Sequence, residues 1–356
     1  MNALNSESLS GFKYHLPVQL EQMDGMWLRD ELWRELCTDP ARFDLVFWKG
    51  GMTPYSPSLN ALISTGLLTI QGETVTANYQ IWHQDGIFVI TDRPDYPLWD
   101  RVFPVFSDEN LLLARLELWK NSKVIADVGT GSGFLAVHAA LAGCDVFATD
   151  INPRALAMAN LNAQLNGVGK KIEFVSGDTF AGSKEHRYDF VISNPPFVPV
   201  PQETSFHLAG SGGTHGTAMI EKILAQIPGF CVNQPRLAFT AVSLLRNGIS
   251  RVHELIQHHF GSGASANIIP IYSESLSLPF HAALFGEGPK VKEWISSLEC
   301  EGYDSLGYFL VTVGDSGCKD FALPQQKTRF AGDWNRRQAR YQLWVNAPQL
   351  GGPQIQ

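Results

Sequence analysis

Apolar positions recur along the chain with two different periods, and the changes of period divide it into elements. Met26 to Leu36 places apolar side chains at helical spacing behind Asp24, a candidate N-cap, so a helix is expected there. Phe43 to Trp48 is a second apolar cluster, and Ser56 to Thr65 reads as a short helix begun by Pro57. From Leu67 the period shortens. Glu73 to His83 and Ile87 to Asp92 are β-rich and flank Gln84-Asp85-Gly86, a turn signal of the hairpin kind. Helices followed by a hairpin predict a small accessory or lid domain over residues 1–100. Winged-helix units have this make-up and often bind DNA, but few basic residues and a bulky aromatic set favour packing or a substrate lid here.

From Lys123 onward strands and helices alternate. Strands are expected at Lys123 to Asp127, Asp145 to Thr149, Lys171 to Ser176, Tyr188 to Ser193, Leu237 to Leu244, Ala266 to Tyr272 and Leu306 to Val313. Helices are expected at Phe134 to Ala142, Asn152 to Leu165, Thr217 to Ile227, Ile249 to Phe260 and Lys290 to Leu298. The second of these has Asn152 as cap, Pro153 at its first position and Gly167 to stop it. Such alternation predicts an α/β domain over 101–315, with a mostly parallel sheet covered on both faces and ligands beyond the C-terminal strand ends. After Gly314 the pattern stops, leaving 316–356 as an extension. Within it Lys319 to Arg340 holds six basic residues against two acids, read as a solvated helix or as a contact for a phosphate-bearing substrate.

The whole-chain numbers narrow the function classes. A formal charge of −8 over 356 residues disfavours duplex DNA and anionic membranes as partners of the average surface. Apolar runs are too short for a spanning helix, and Met1 to Phe12 lacks a signal-peptide pattern, so a cytoplasmic protein is expected. The five cysteines, at 37, 144, 231, 300 and 318, are scattered without a C-x-x-C pair, which points to neither a disulfide framework nor a zinc site.

Candidate chemistry enters at Asp127-Val-Gly-Thr-Gly-Ser-Gly133. The glycines let the backbone approach a ligand where a Cβ would collide, and the following helix points free N–H groups at it. Gly129, Gly131 and Gly133 alternate and Phe134 follows, so the dinucleotide spacing G-x-G-x-x-G is absent. The run, with Asp150 ending the next strand, resembles motif I and its acidic partner in class I S-adenosylmethionine-dependent methyltransferases. That resemblance implies a Rossmann-like seven-stranded methyltransferase sheet and S-adenosyl-L-methionine as cofactor. It assigns Asp127, Gly129, Thr130, Gly131 and Gly133 to the cofactor turn, Asp150 and Ile151 to the ribose side, and Asp178 with Thr179 or Phe180 to the adenine. Arg101 to Leu113 loosely resembles the segment that opens the catalytic domain of release-factor glutamine methyltransferases, without that family's arginine-proline-acid-threonine wording.

The second signal is Asn194-Pro195-Pro196-Phe197, about 65 residues after the glycine turn. It resembles the (Asn/Asp)-Pro-Pro-(Tyr/Phe) motif of methyltransferases acting on planar nitrogens, as in release-factor glutamine and ribosomal guanine enzymes. An amide or exocyclic amine is a poor nucleophile, so its N–H groups must be held by acceptors and its nitrogen aimed at the methyl. The Asn194 oxygen and the Pro195 carbonyl are the acceptors expected, the prolines fix the backbone, and Phe197 can stack on the planar group. No metal is required. His207 and His215 are candidates for taking up a proton, or are surface loop residues. The glycine-rich loop Gly210 to Gly216 is expected to be a mobile flap over the substrate. The acceptor is left open among a protein amide, an RNA base and a small metabolite. Two other readings remain: an enzyme that methylates oxygen or carbon, or rearranges the cofactor, and a non-catalytic cofactor-binding subunit.

Overall fold

A computed structural model describes residues 20, 22–96, 98–103, 108–182, 187–231, 236–271 and 275–314. The basic stretch expected between Lys319 and Arg340 lies outside the described residues. Among the described residues no helix is long and apolar enough to cross a membrane.

The N-terminal part opens with α1 (Gly25–Thr38), begun by Asp24, whose carboxylate accepts from the Met26 and Trp27 backbone N–H groups. The apolar cluster that follows is a π-helical turn over Asp44–Trp48, with Val46 and Phe47 buried. Pro57 starts a 3-10 turn that runs into a short helix, Asn60–Ser64. The β-rich stretch is more divided than its composition predicts. β1 (Met52–Pro54), β2 (Leu68–Gln71) and β3 (Thr74–Ala77) form one small antiparallel sheet, while β4 (Tyr79–Gln84) and β5 (Ile87–Asp92) form a separate hairpin. Asp85 and Gly86 both have positive φ, the backbone that a two-residue hairpin turn demands.

The remaining elements build one sheet. A helix, α2 (Asp108–Leu116), precedes β6 (Val124–Val128), α3 (Phe134–Leu141), β7 (Asp145–Asp150), α4 (Pro153–Leu165), β8 (Ile172–Ser176) and β9 (Phe190–Ser193). Then follow α5 (Ala218–Phe230), β10 (Leu237–Arg246), β11 (Ile249–Ser250), α6 (Arg251–Phe260), β12 (Ala266–Pro270), β13 (Leu276–Ser277), α7 (Leu278–Ala283), α8 (Pro289–Cys300) and β14 (Ser305–Val313). The order across the sheet is β12-β14-β10-β9-β6-β7-β8, a path of seven strands, with the two-residue β11 and β13 paired at its side. β8, β7, β6, β9 and β10 run parallel, and β14 is inserted antiparallel between β10 and β12. This is the mostly parallel, Rossmann-like α/β sheet that the alternation of periods predicts.

The hairpin is fastened to the sheet domain through α4. Asn162 and Asn166 stand one helical turn apart and act as substitute strand partners for β5. The Asn162 oxygen accepts from the Ile90 N–H at 2.8 Å and its amide donates to the Ile90 carbonyl at 2.8 Å. Asn166 treats Phe88 the same way, at 3.1 and 2.7 Å. At the start of α4 the Arg154 guanidinium forms a buried, bidentate pair with Asp92, the last residue of β5. An apolar cluster of Leu28, Leu32, Phe43, Phe88, Ile90, Met158 and Leu161 fills the space between.

Candidate active site

Three parallel strands end side by side, and their last residues carry the motifs. In register, Ile192 of β9 stands opposite Asp127 of β6, and Val128 opposite Thr149 of β7. The Ser193 hydroxyl donates to the Val128 carbonyl at 2.6 Å, so Asn194 leaves the sheet beside Gly129. The two motifs that lie about 65 residues apart in sequence are therefore adjacent at one edge.

Gly129, Gly131 and Gly133 all have positive φ. The turn is anchored by the Gly129 and Thr130 N–H groups, both donating to the Thr149 carbonyl at 2.8 Å. At Gly133 a Cβ would lie 2.9 Å from the Ala159 Cβ, so this glycine serves close packing of the turn on α4. A Cβ at Gly131 would meet nothing within 4 Å, so its side of the turn is open. Asp127 is buried under the turn. One of its oxygens accepts from the Thr130 hydroxyl at 2.7 Å and from the Ala136 N–H at 3.1 Å, and the other has no partner among the described residues. Burial pushes this carboxyl up to about 7, against the opposing pull of Thr130 and Ala136, and the neighbouring charge of Asp150 adds to the rise.

Asp150 closes β7. Its two oxygens each accept one backbone N–H, from Gly131 and Asn152, both at 2.8 Å. Burial raises its pKa, and the N–H groups of Asn152, Gly131 and Ile151 oppose the rise. Each carboxylate oxygen has more than one acceptor site, so capacity for a pair of hydroxyls remains. Asn152 caps α4 and its amide donates to the Asp100 carbonyl at 2.7 Å, which brings the 98–103 segment to this end of the site.

Asp178 lies farther out, exposed and ion-paired with Lys222. Thr179 is buried with φ of 53°, and its carbonyl accepts from the Thr149 hydroxyl at 2.6 Å. Phe180 stacks on Phe230, with ring centroids 4.8 Å apart.

In the second motif the Asn194 carboxamide is held on both sides. Its oxygen accepts from the Thr240 hydroxyl, and its amide donates to the Asn110 oxygen at 3.1 Å. Pro195 is buried and Pro196 half-buried. Phe197 departs from the expectation. The ring is 4% exposed, packs edge-to-face on Tyr308 at 5.4 Å, and belongs to an apolar cluster with Val242 and Leu244. Its burial supports a role in seating the loop, in place of stacking on an acceptor.

The loop over Gly210 to Gly216 also differs from the expected flap. Val198 and Val200 donate to the Gly210 and Gly213 carbonyls, and the Gly212 N–H donates back to Val198, each at 2.9 Å. A Cβ at Gly212 would lie 2.4 Å from the Gly216 carbonyl oxygen, and one at Gly216 would lie 2.6 Å from that of Phe197. These glycines answer to close backbone approach, which a hinge does not require. His215 is turned away to Glu301, at 2.9 Å. His207 is buried and stacks on Phe206. A third histidine, not singled out by sequence, holds the loop: His281 is fully buried, with Nε2 2.7 Å from the Pro199 carbonyl and a pKa pushed down by burial to about 4. Thr240 and Asn110 were equally missed. The available signal was a hydroxyl inside the otherwise apolar run Leu237-Ala-Phe-Thr-Ala-Val, within β10 and level with the end of β9.

Comparison with known proteins finds relatives for this segment. Residues 106–209 match the family model described as "Methyltransferase small domain". These residues are similar to the methyltransferase small domain family. The match embraces the glycine turn, Asp150, Asp178 and Asn194 to Phe197. A release factor glutamine methyltransferase of Chlorobaculum tepidum is 41% identical over 85 residues, covering 22% of this chain and 29% of that protein. A ribosomal protein uL3 glutamine methyltransferase of Bradyrhizobium diazoefficiens is 35% identical over 114 residues, covering 29% and 36%. The chain thus spans about a third of the length of these two relatives. A ribosomal protein L11 methylase of Lactobacillus delbrueckii subsp. bulgaricus is similar in structure at 17% identity and a TM-score of 0.34, over 58% of this chain and 75% of that one.

S-adenosyl-L-methionine is the cofactor that a methyltransferase small domain implies, and the donor set fits it. A cationic sulfonium and ammonium suit a turn underlain by the unpartnered Asp127 oxygen, and a diol suits Asp150 at the strand end. The open side of Gly131 leaves room at this turn, beside the Asp150 carboxylate that its N–H meets at 2.8 Å.

Proposed function

We propose that this protein transfers a methyl group from S-adenosyl-L-methionine to a nitrogen held by Asn194 and Pro195, and that the nitrogen belongs to a protein carboxamide. The observation that carries the reading is the placement of Asn194 beside Gly129 by the β6–β9 register, with its carboxamide anchored on two sides. The named relatives methylate glutamine, which favours an amide, and the charge of −8 weighs against an RNA phosphate backbone.

The cofactor supplies, when bound, a methyl group already activated on a positive sulfur. The chain's task is then alignment and exclusion of water. Asp150 would hold the sugar and the glycine turn would admit the methionine part. The Asn194 oxygen and the Pro195 carbonyl accept the two N–H bonds of the acceptor, so its nitrogen presents a lone pair along the line of transfer. The two prolines keep those two oxygens at a fixed separation. His215 is engaged with Glu301, so the proton shed by the methylated nitrogen is assigned to water.

Methyl-tritiated S-adenosylmethionine incubated with cell extract tests the reaction. Label is expected in the protein fraction, released as methylamine on acid hydrolysis, as an N-methylated carboxamide requires. Label released as methanol by mild base, or confined to small molecules, overturns the amide reading. Asn194→Ala is expected to abolish transfer while cofactor affinity by calorimetry is kept; an active variant would remove Asn194 from the mechanism. Asp150→Ala is expected to lose cofactor binding, roughly 1.5–3 kcal/mol for each charge-assisted hydrogen bond removed.

A further inference from the structure

The two groups that hold Asn194 come from elements remote in sequence. Thr240 lies on β10, one position beyond Phe239, which pairs with Ser193, and it is fully buried. Asn110 lies on α2, just ahead of the cofactor domain's first strand. A carboxamide is broad and nearly two-fold in its terminal torsion, so packing alone distinguishes poorly between its oxygen and its nitrogen. Chemistry at this site depends on the difference. An acceptor that brings N–H bonds needs the oxygen; with the carboxamide turned over, donor would face donor.

We propose that Thr240 and Asn110 are positioning residues that lock the Asn194 carboxamide with its oxygen available to an N–H, which selects acceptors that bring N–H bonds, as a carboxamide does, over carbon or proton-free nitrogen acceptors. This rests on the reading of Asn194 as the nitrogen-holding residue. The Thr240 hydroxyl donates to the oxygen and takes one of its two lone pairs, leaving the other for the acceptor. The Asn110 oxygen takes one of the two amide hydrogens. Turning Asn194 over alone would set its oxygen against that of Asn110, two acceptors face to face, so the orientation is set by the chain of three and not by either contact alone. Each anchor sits on a separate element, which makes the orientation a product of the assembled sheet and helix.

The test combines a spectroscopic and a chemical readout. In protein labelled with nitrogen-15 at asparagine, the Asn194 amide pair is identified by its loss in Asn194→Ala. Thr240→Val and Asn110→Leu are expected to shift that pair and speed its interconversion while leaving cofactor affinity by calorimetry unchanged. Both should lower the transfer rate from methyl-tritiated cofactor into the extract's protein fraction by about tenfold to a hundredfold, the scale of loss for a misplaced reacting group. Thr240→Ser, which keeps the hydroxyl, and Asn110→Asp, which keeps only acceptor oxygens, are expected to rescue most of the rate. An unchanged amide pair in Thr240→Val overturns the inference, as does loss of rate in Asn110→Asp with rescue by a donor at that position. Activity in Asn194→Ala instead sinks the nitrogen-acceptor reading, an outcome independent of the amide signal.

Discussion

Asp127 illustrates how one buried group can report on the site. Its carboxyl titrates near 7 because it is enclosed and only partly compensated by Thr130 and Ala136. A raised carboxyl binds its proton more tightly in the folded chain than in the unfolded one. Folded stability from this group is therefore fully present below the ordinary value of 3.8 and is lost as pH rises to about 7. A bound cation above the turn has the opposite demand, since it favours the ionised form. Cofactor affinity is thus expected to rise with pH by up to about tenfold per unit below 7 and to level off above it. Asp150, also raised, contributes in the same direction. Calorimetry across pH 5.5–8.5 (about three units, spanning the ionisation) checks this, and Asp127→Asn separates the two acids by flattening the Asp127 part of the profile. A profile identical in Asp127→Asn would mean that the carboxylate does not sense the ligand.

At the scale of elements, the two glycine clusters make different predictions although their sequences look alike. Gly131 and Gly216 both have positive φ, which costs an L-residue roughly 1–2 kcal/mol. Gly131 faces open space, whereas a Cβ at Gly216 meets the Phe197 carbonyl. Gly131→Ala should therefore weaken cofactor binding with a modest loss of stability. Gly216→Ala should lower the melting temperature more and cost transfer activity by displacing Phe197 to Pro199, with cofactor binding kept. The sequence identified the seven strands of the main path because apolar runs, caps and turn residues agree locally at each, but not the two-residue β11 and β13 at its side, which are too short to show a period. It also found Asp24, Asn152 and the hairpin turn, where a single side chain or backbone angle decides the matter. It could not see that Phe197 turns inward, because nothing near Phe197 in the chain specifies Tyr308, Val242 or Leu244. The flap was misread for a related reason. Glycine signals freedom locally, but here two backbone segments approach so closely that only glycine fits.

For the whole molecule, the question is what holds the β4–β5 hairpin on the sheet domain. Asn162 stands on the same face of α4 as Met158 and Leu165, and a polar residue on a buried helical face was the clue that a partner would come from elsewhere in the chain. It serves the Ile90 N–H and carbonyl and also the Ser132 carbonyl, at 2.8 Å each. One side chain thus ties the hairpin to the glycine turn. Asn162→Ala would leave three buried backbone groups without partners, each costing about 1–3 kcal/mol, so a loss of roughly 3 kcal/mol or more is expected from chemical denaturation. The Arg154–Asp92 pair adjoins the same contact, and Asp92→Ala would strand a buried guanidinium at a cost of about 3–5 kcal/mol. If these contacts carry the docking, amide exchange at Phe88 and Ile90 in Asn162→Ala should quicken more than exchange in β9 and β10. Because Ser132 lies in the glycine turn proposed to hold the cofactor, cofactor affinity should fall in the same variant. Hairpin amides that stay as protected as the core would show that apolar contacts of Phe88 and Met158 suffice to hold the hairpin, and that the asparagines serve only to satisfy the backbone.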